Sequence, residues 1–471
     1  MLLCGIVRQA LENKMHHIDI VRQLSRRDFM KAGGMTALGI ALGGCAKNPV
    51  TGKNQFMLVS EEKEIQMDRQ ASPMQLSNDY GPTQDGALNE YVTQVGRSLS
   101  DTSHRPHMPY AYNVVNANYV NAYAFPGGTI ACTRGIMLDL DNEAELAALL
   151  GHEIGHVNAR HTASRMSSQM VIGGLAGVGG AVVGAKYGGA WGSLAGGLGG
   201  LGAGVLLASY SRDDERQADS LGMEYMTRAQ YNPEGMIGLM EMLNEQHDRQ
   251  PSALEVMFST HPMSAERLTA ARNRAKDQYY GAKEYSVYRE RYMDNTAELR
   301  KIGPAVKDMQ DAEKLSGEKK FGEAEEKMKS ALQKAPNDYT GLLIMAKLQM
   351  AQKQYDKALP YAMEAKRVYP GEAQASQVSG VLLLQSEKYA DAYDSFVQYD
   401  KALPGNPYVP FFKGYSQEGL GDREEAAREY YKFLQKVRQG DQANHAYQRL
   451  VQWGYIKGEV EPVRNPMSYL G

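Results

Sequence analysis

The sequence has little of what marks several protein classes. It carries only three cysteines, Cys4, Cys45 and Cys132, in 471 residues. Thiols so far apart make neither a disulfide framework nor a cysteine zinc site. Charge is nearly balanced, with 52 Lys and Arg against 55 Asp and Glu and a formal net charge of −3. No global basic field points to nucleic acid, so no nucleic-acid partner is expected. The apolar run from Ala32 to Gly43 falls short of the about 20 residues that span a bilayer as a helix. What is left, 43% hydrophobic and 23% charged, is an ordinary globular balance. The length suits about three domains at roughly 150 residues each.

The short apolar run suits a signal h-region instead. Before it stands Ser25-Arg26-Arg27-Asp28-Phe29-Met30-Lys31, which resembles the twin-arginine export motif; after it stands Leu42-Gly43-Gly44-Cys45, which resembles a bacterial lipobox. Three signals in this order read as an export leader rather than a buried N-terminal helix. Residues 1–45 are then the signal, and lipidated Cys45 opens the mature chain and ties it to the membrane. The expected location is the bacterial cell envelope, as a periplasm-facing lipoprotein of the outer membrane. Residues 46–60, polar and with turn signals at Asn48-Pro49 and Thr51-Gly52-Lys53, read as a tether between lipid and domain.

Further along, residues 61–100 read as helices, and Tyr110 to Asn116 and Thr129 to Thr133 as strands, with Pro126-Gly127-Gly128 as a turn. A helix is expected from about Asn142, with Glu143 and Glu145 in its first turn, where negative charge complements the dipole. Residues 171–208 are apolar and Gly-rich, with seven glycines four apart from Gly180 to Gly204 and Lys186 as the only charge. Glycines at that step lie on one helix face. The segment reads as a helical hairpin or lid in preference to a flexible loop. From about Pro304 a 34-residue period takes over. Phe321, Tyr355 and Tyr389 share it, as do Ala324, Ala358, Ala392 and Ala426, and Pro336, Pro370 and Pro404. Three registers with one period match the tetratricopeptide repeat, whose stacked helix pairs usually bind a peptide or protein. In the last unit Arg423 replaces the aromatic, which suits a capping repeat.

The chemistry sits in His152-Glu153-Ile154-Gly155-His156. The i, i+4 spacing places both imidazoles on one helix face, where they can share a zinc ion, and Glu153 beside them can act as general base. Leu146, Ala147, Ala148, Leu149 and Leu150 lead into this helix and suggest that it is buried. A buried helix does not carry two histidines and a carboxylate without a use. The metzincin pattern is excluded, because Ala159 and Thr162 stand where Gly and His are needed. His161, one residue out of that register, reads as a surface histidine or one that supports a ligand. Downstream, Glu215 and Asp219 are again i, i+4. One carboxylate can bind zinc while the other accepts the N–H of a ligating histidine.

At this point the chain resembles the zinc metallopeptidases that include HtpX, Oma and the CAAX prenyl endopeptidases, over roughly residues 46–275. The resemblance rests on Asn121-Ala122-Tyr123-Ala124-Phe125-Pro126-Gly127-Gly128, on Asn142-Glu143-Ala144-Glu145-Leu146-Ala147, and on Glu215 with Ala218-Asp219. With an export signal before it and repeats after it, the layout is most similar to the BepA-like branch, periplasmic proteases and chaperones of outer-membrane barrel assembly. The resemblance implies that Glu215 is the third zinc ligand and that Asp219 assists catalysis as a proton donor. It also implies that an extended edge near Asn118–Ala124 aligns the substrate. It further implies that His261, in Ser259-Thr260-His261-Pro262, approaches the zinc as a fourth, displaceable ligand; otherwise it is a turn histidine beside Pro262. His104, His107, His247 and His445 show no ligand motif. The expected fold is α+β: a mainly helical gluzincin-type peptidase domain with a small β-sheet over 46–300, then an all-α repeat domain over 301–471. The expected function is zinc-dependent endopeptidase cleavage of misfolded or misassembled envelope proteins, with chaperone activity in outer-membrane protein assembly as an accompanying role. The alternative is a chaperone or adaptor whose zinc site is normally closed.

Overall fold

The computed structural model describes residues 45–176, 209–249 and 251–458. The export signal before Cys45 and the glycine steps from Gly180 to Gly204 lie outside the described residues. No helix among the described residues is long and apolar enough to cross a membrane.

The stretch expected to be a tether is folded. Strand β1 (Cys45–Lys47) pairs antiparallel with β2 (Asn54–Phe56), and Gly52 takes the positive φ of +67° that the turn requires. Met57 and Val59, apolar residues in a polar stretch, bury against Ala163. Asn48 Nδ2 donates to Ala159 O at 3.3 Å, and Leu58 N–H to Ser167 Oγ at 2.9 Å. Burial of that pair and satisfaction of those polar groups dock the hairpin on the peptidase domain.

Helices α1 (Glu61–Asn78) and α2 (Gly86–Ser100) follow, N-capped by Ser60 and Asp85. A three-stranded sheet comes next, built from β3 (Ala111–Val115), β4 (Ala122–Ala124) and β5 (Thr129–Thr133) in the order β3-β5-β4. β3 runs parallel to β5 and β4 antiparallel to it, so β4 is an edge. Gly128, at φ +108°, makes the turn from β4 to β5. A short helix, α3 (Arg134–Asp139), leads to α4 (Glu143–Ala159), which Asn142 caps and in which every residue is buried. Glu143 and Glu145 stand in its first turn as expected, and Glu143 is buried against Arg291, Tyr91 and Tyr231.

Helix α4 crosses α6 (Arg212–Arg228) at close range because both present small residues. A Cβ on Gly151 would meet Gly222 Cα at 3.1 Å, and one on Gly222 would meet His152 N at 2.9 Å. Gly155 faces Ala218 in the same way, at 3.0 Å from its carbonyl oxygen. That approach brings the two i, i+4 pairs together. Helix α5 (His161–Ala176) continues from α4; α7 (Glu234–Arg249), α8 (Pro251–Thr260), α9 (Ala265–Asp277), α10 (Arg289–Asn295) and α11 (Ala297–Lys301) complete the peptidase part.

The repeats are four helix pairs and a last helix. They are α12 (Gly303–Gly317) with α13 (Phe321–Lys334), α14 (Tyr339–Ala351) with α15 (Tyr355–Val368), α16 (Ala373–Gln385) with α17 (Tyr389–Ala402), and α18 (Val409–Gly419) with α19 (Arg423–Leu434). α20 (Asp441–Gln452) follows. Ala324, Ala358, Ala392 and Ala426, the small residues of the period, are each 0% exposed at the contact within a pair. Arg423 opens α19 at the surface, and α20 packs beyond it. Helices α14 and α16 are buried along most of their length, since they pack between their repeat partners and the peptidase part.

Candidate metal centre

The crossing of α4 and α6, closed by the loop after α8, gathers His152, His156, Glu215 and His261. All four are buried, and their donor atoms lie within 4.8 Å of one another. His152 Nε2 is 3.0 Å from His156 Nε2, 3.3 Å from His261 Nδ1 and 3.5 Å from Glu215 Oε2. Glu215 Oε1 is 3.4 Å from His156 Nε2 and 3.1 Å from His261 Nδ1. Donors about 2.0–2.1 Å from a tetrahedral zinc stand roughly 3.3 Å from one another. Three imidazoles and a carboxylate at this spacing fit such an ion, and nitrogen and oxygen donors suit zinc.

The rings are held from behind. His152 Nδ1 meets Asp219 Oδ1 at 3.0 Å. An ionised carboxylate only accepts, so Nδ1 carries the proton and the Nε2 lone pair faces the cluster. His156 Nδ1 meets His161 Nδ1 at 2.9 Å, and His161 Nε2 meets Gln217 Oε1 at 3.0 Å. Gln217 Oε1 accepts from His161, which accepts from His156, so His156 also turns a lone pair inward. Tyr210 stacks on His156 with ring centroids 3.8 Å apart, and its N–H donates to Thr260 O at 3.1 Å.

Arg267, on α9, joins the two α6 carboxylates. Its Nε and Nη2 each lie 2.7 Å from Asp219, and its Nη1 lies 2.7 Å from Glu215 Oε2. Burial alone would push both carboxyls up. His261 and His152 nevertheless hold Glu215 well below its usual range, and Arg267 and His152 hold Asp219 below its own. Burial holds His156 well below the usual histidine range. Burial also pushes up Glu153, whose two carboxylate oxygens are both buried without a hydrogen-bond partner. The group facing it is His261, whose Nε2 lies 3.7 Å away.

All the residues singled out from the sequence for the metal therefore meet in one place, with Glu153 and Asp219 beside them. His161 is a buried support, not a surface residue. Sequence reasoning missed Gln217, Arg267 and Tyr210. Gln217 lies two residues from Glu215, but nothing in the pattern marks it. Arg267 and Tyr210 reach the centre only through the tertiary fold. His104, His107 and His445 sit elsewhere, against Tyr225, Glu61 and Glu418; the side chain of His247 is outside the described residues.

Beside the centre is a narrow depression whose lining includes Ala124, Phe125, Pro126, His156 and Tyr210. It connects the end of β4 to the metal ring. Phe125 N–H donates to Thr129 O, and Asn121 O accepts from Thr133 N–H, both on β5. By the alternation of an antiparallel ladder, Ala122 and Ala124, both buried, turn their backbone groups away from β5, to the edge that no described strand pairs.

Comparison with known proteins matches residues 87–275 to the model of peptidase family M48 and residues 315–378 to a tetratricopeptide repeat. The chain is 27% identical over 383 residues to a beta-barrel assembly-enhancing protease of Yersinia pestis, covering 73% of this chain and 75% of that one. It is 31% identical over 193 residues to the protein of the same name in Escherichia coli K12, covering 41% of this chain and only 39% of that one. Metalloprotease LoiP of the same bacterium is 29% identical over 221 residues, covering 47% and 80%.

Proposed function

We propose that this chain, a metalloendopeptidase that carries a peptidase family M48 domain followed by tetratricopeptide repeats, is a zinc enzyme that cleaves misfolded or misassembled proteins of the bacterial cell envelope. The observation that carries the reading is Glu153. A carboxylate buried with both oxygens unpaired, beside four donors at metal spacing, is costly unless it has a partner during reaction. His152, His156 and Glu215 would hold the ion. A zinc ion there would polarise the scissile carbonyl and lower the pKa of water towards ~7. Glu153 takes the proton of the attacking water and delivers it to the leaving amine. Asp219, clamped by Arg267 and bonded to His152, orients that ligand. A substrate strand would lie along the unpaired edge of β4 by strand addition, with main-chain bonds to Ala122 and Ala124.

His261 occupies the fourth donor position. A catalytic zinc keeps one position open, so cleavage requires His261 to move aside. The same closed ring favours a second reading, a chaperone or adaptor that holds clients without cutting them. Lipid on Cys45 would place either activity at the outer membrane, facing the periplasm, and the names of the Yersinia and E. coli relatives suggest barrel assembly as the setting. The face of the repeats built by α12, α14 and α16 already meets the peptidase part, so a protein partner would use the remaining repeat surface.

The test is cleavage of unfolded casein by the full chain and by Glu153→Gln. Loss of cleavage by about 10²–10⁴-fold with zinc retained supports the peptidase. Equal and negligible cleavage by both supports the adaptor.

A further inference from the structure

We propose that the repeats serve the peptidase site directly: Gln310, Glu313, Asp338 and Thr340 are positioning residues that hold the segment Asn116–Asn121 and so set the unpaired edge of β4 against the metal centre. The inference rests on β4 being the substrate edge, as proposed above.

The segment from Asn116 to Asn121 enters β4 without a ladder of its own, so its buried backbone groups must find partners elsewhere. Part of that need is met within the peptidase. Thr133 Oγ1 donates to Tyr119 O at 2.5 Å and accepts from Asn121 N–H at 3.1 Å. Asn116 N–H donates to Gly81 O, and Ala117 O and Asn121 O accept from Gly135 and Thr133 N–H; the carbonyls of Asn116 and Asn118 are met by the repeats. Thr340 Oγ1, in the first turn of α14, donates to Asn116 O at 3.0 Å, and Gln310 Nε2, on α12, donates to Asn118 O at 2.7 Å. The side chain of Asn118, 1% exposed, is held at both ends. Its Nδ2 donates to Glu313 Oε2 at 3.0 Å, and its Oδ1 accepts from Arg134 Nε and Nη2 at 2.9 and 2.6 Å. Arg134 in turn forms a two-point pair with Asp338, at 2.6 and 3.1 Å. Such a paired guanidinium fixes direction as well as charge.

The segment has no room to drift the other way. A Cβ at Gly135 would lie 2.1 Å from Asn118 O and 2.5 Å from Tyr119 O, so α3 already touches its backbone. β4 is also fixed from below. Tyr123 OH donates to Asp79 at 2.5 Å, and Tyr119 OH to the same carboxylate at 2.9 Å. The end of α1 that presents Asp79 is itself gripped by α16, where Gln374 Nε2 donates to Ser77 O at 2.6 Å and Asn78 O at 3.1 Å and Glu372 accepts from Ser77. Three successive repeat pairs thus reach the segment that feeds the edge or the carboxylate beneath it.

Contacts that merely glued two domains together would affect stability and all substrates alike. Positioning of the edge makes a narrower demand, because only a substrate long enough to lie along β4 uses it. Asp338→Ala would strand Arg134 and endanger folding. The cleaner variant is Gln310→Met with Thr340→Val, which removes two donors and keeps shape and charge. Gln310→Met alone is the milder control. The measurement is kcat and KM of the full chain, with zinc content and Tm, on unfolded casein and on a short fluorogenic peptide. The peptide is one that wild type cleaves and that is too short to pass Ala122. The expected result is a fall of about tenfold in the ratio of kcat/KM on casein to kcat/KM on the peptide. The change should lie mainly in KM, at unchanged zinc, with a smaller fall in the single variant. An unchanged ratio overturns the proposal, whether or not Tm falls. If wild-type cleavage does not depend on Glu153, the peptidase reading fails first and takes this inference with it.

Discussion

Two buried clusters of charge lie in this chain, one at the crossing of α4 and α6 and one between the peptidase part and the repeats. They differ in one respect. Between the domains, Asp79, Glu313, Asp338 and Glu372 face tyrosine, asparagine, arginine and serine donors. None of their carboxylate oxygens is among the buried atoms without a partner. At the crossing, the Nε2 atoms of His152 and His156 point at each other at 3.0 Å, and Glu153 has no hydrogen-bond partner at either oxygen. The first cluster is complete as protein. The second makes sense only around a cation and a reacting molecule. Buried polar groups that satisfy one another are structure, and those left converging on a gap mark chemistry.

The comparison can be broken most easily at its complete side. Asp338→Ala leaves Arg134 buried and unpaired, and should cost roughly 3–5 kcal/mol. Urea unfolding should show that loss, with zinc per folded chain unchanged. A loss of zinc in step would mean that the clusters are one unit. Lys347 gives a smaller, pH-dependent handle. Burial pushes its ammonium down to about 8 from 10.5, against the opposing pull of Glu313 and Glu372. Between those values the unfolded chain binds more protons than the folded one, so this group's contribution to stability rises with pH. Below about pH 8 its penalty is constant. Lys347→Met should remove that rise, a difference of about 3 kcal/mol between pH 7 and 10.5 relative to wild type. Parallel stability–pH curves for the two proteins would contradict it. At the incomplete side, Gln217→Ala removes the hydrogen-bond acceptor of His161, leaving Asp214 at 3.5 Å, and so loosens the tautomer of His156. Zinc affinity should fall about tenfold in a competition titration with a chelator, and an unchanged affinity would remove Gln217 from the centre.

How much of this could be read beforehand depended on the distance over which a pattern acts. The i, i+4 pairs were legible because each lies on one helix, where spacing alone fixes the face. The repeats were legible because a 34-residue period repeats the same local contact, with Ala324, Ala358, Ala392 and Ala426 all buried. The tether at 46–60 misled because its polarity outweighed two residues, Met57 and Val59, whose burial partner lies a hundred residues away on α5. Arg267 could not be found at all. It stands on α9 among other charged residues, and only the fold aims it at Glu215 and Asp219. The contact between domains was equally hidden, since Asn118, Thr340 and Gln374 are single polar side chains without spacing or period.

The central claim, that the incomplete cluster is a zinc centre, is tested most directly by metal analysis of the purified full chain beside Glu215→Ala. The account predicts about one zinc per chain in wild type, and its loss in the variant, which removes one of the three proposed protein ligands. Stoichiometric zinc retained by folded Glu215→Ala would contradict it.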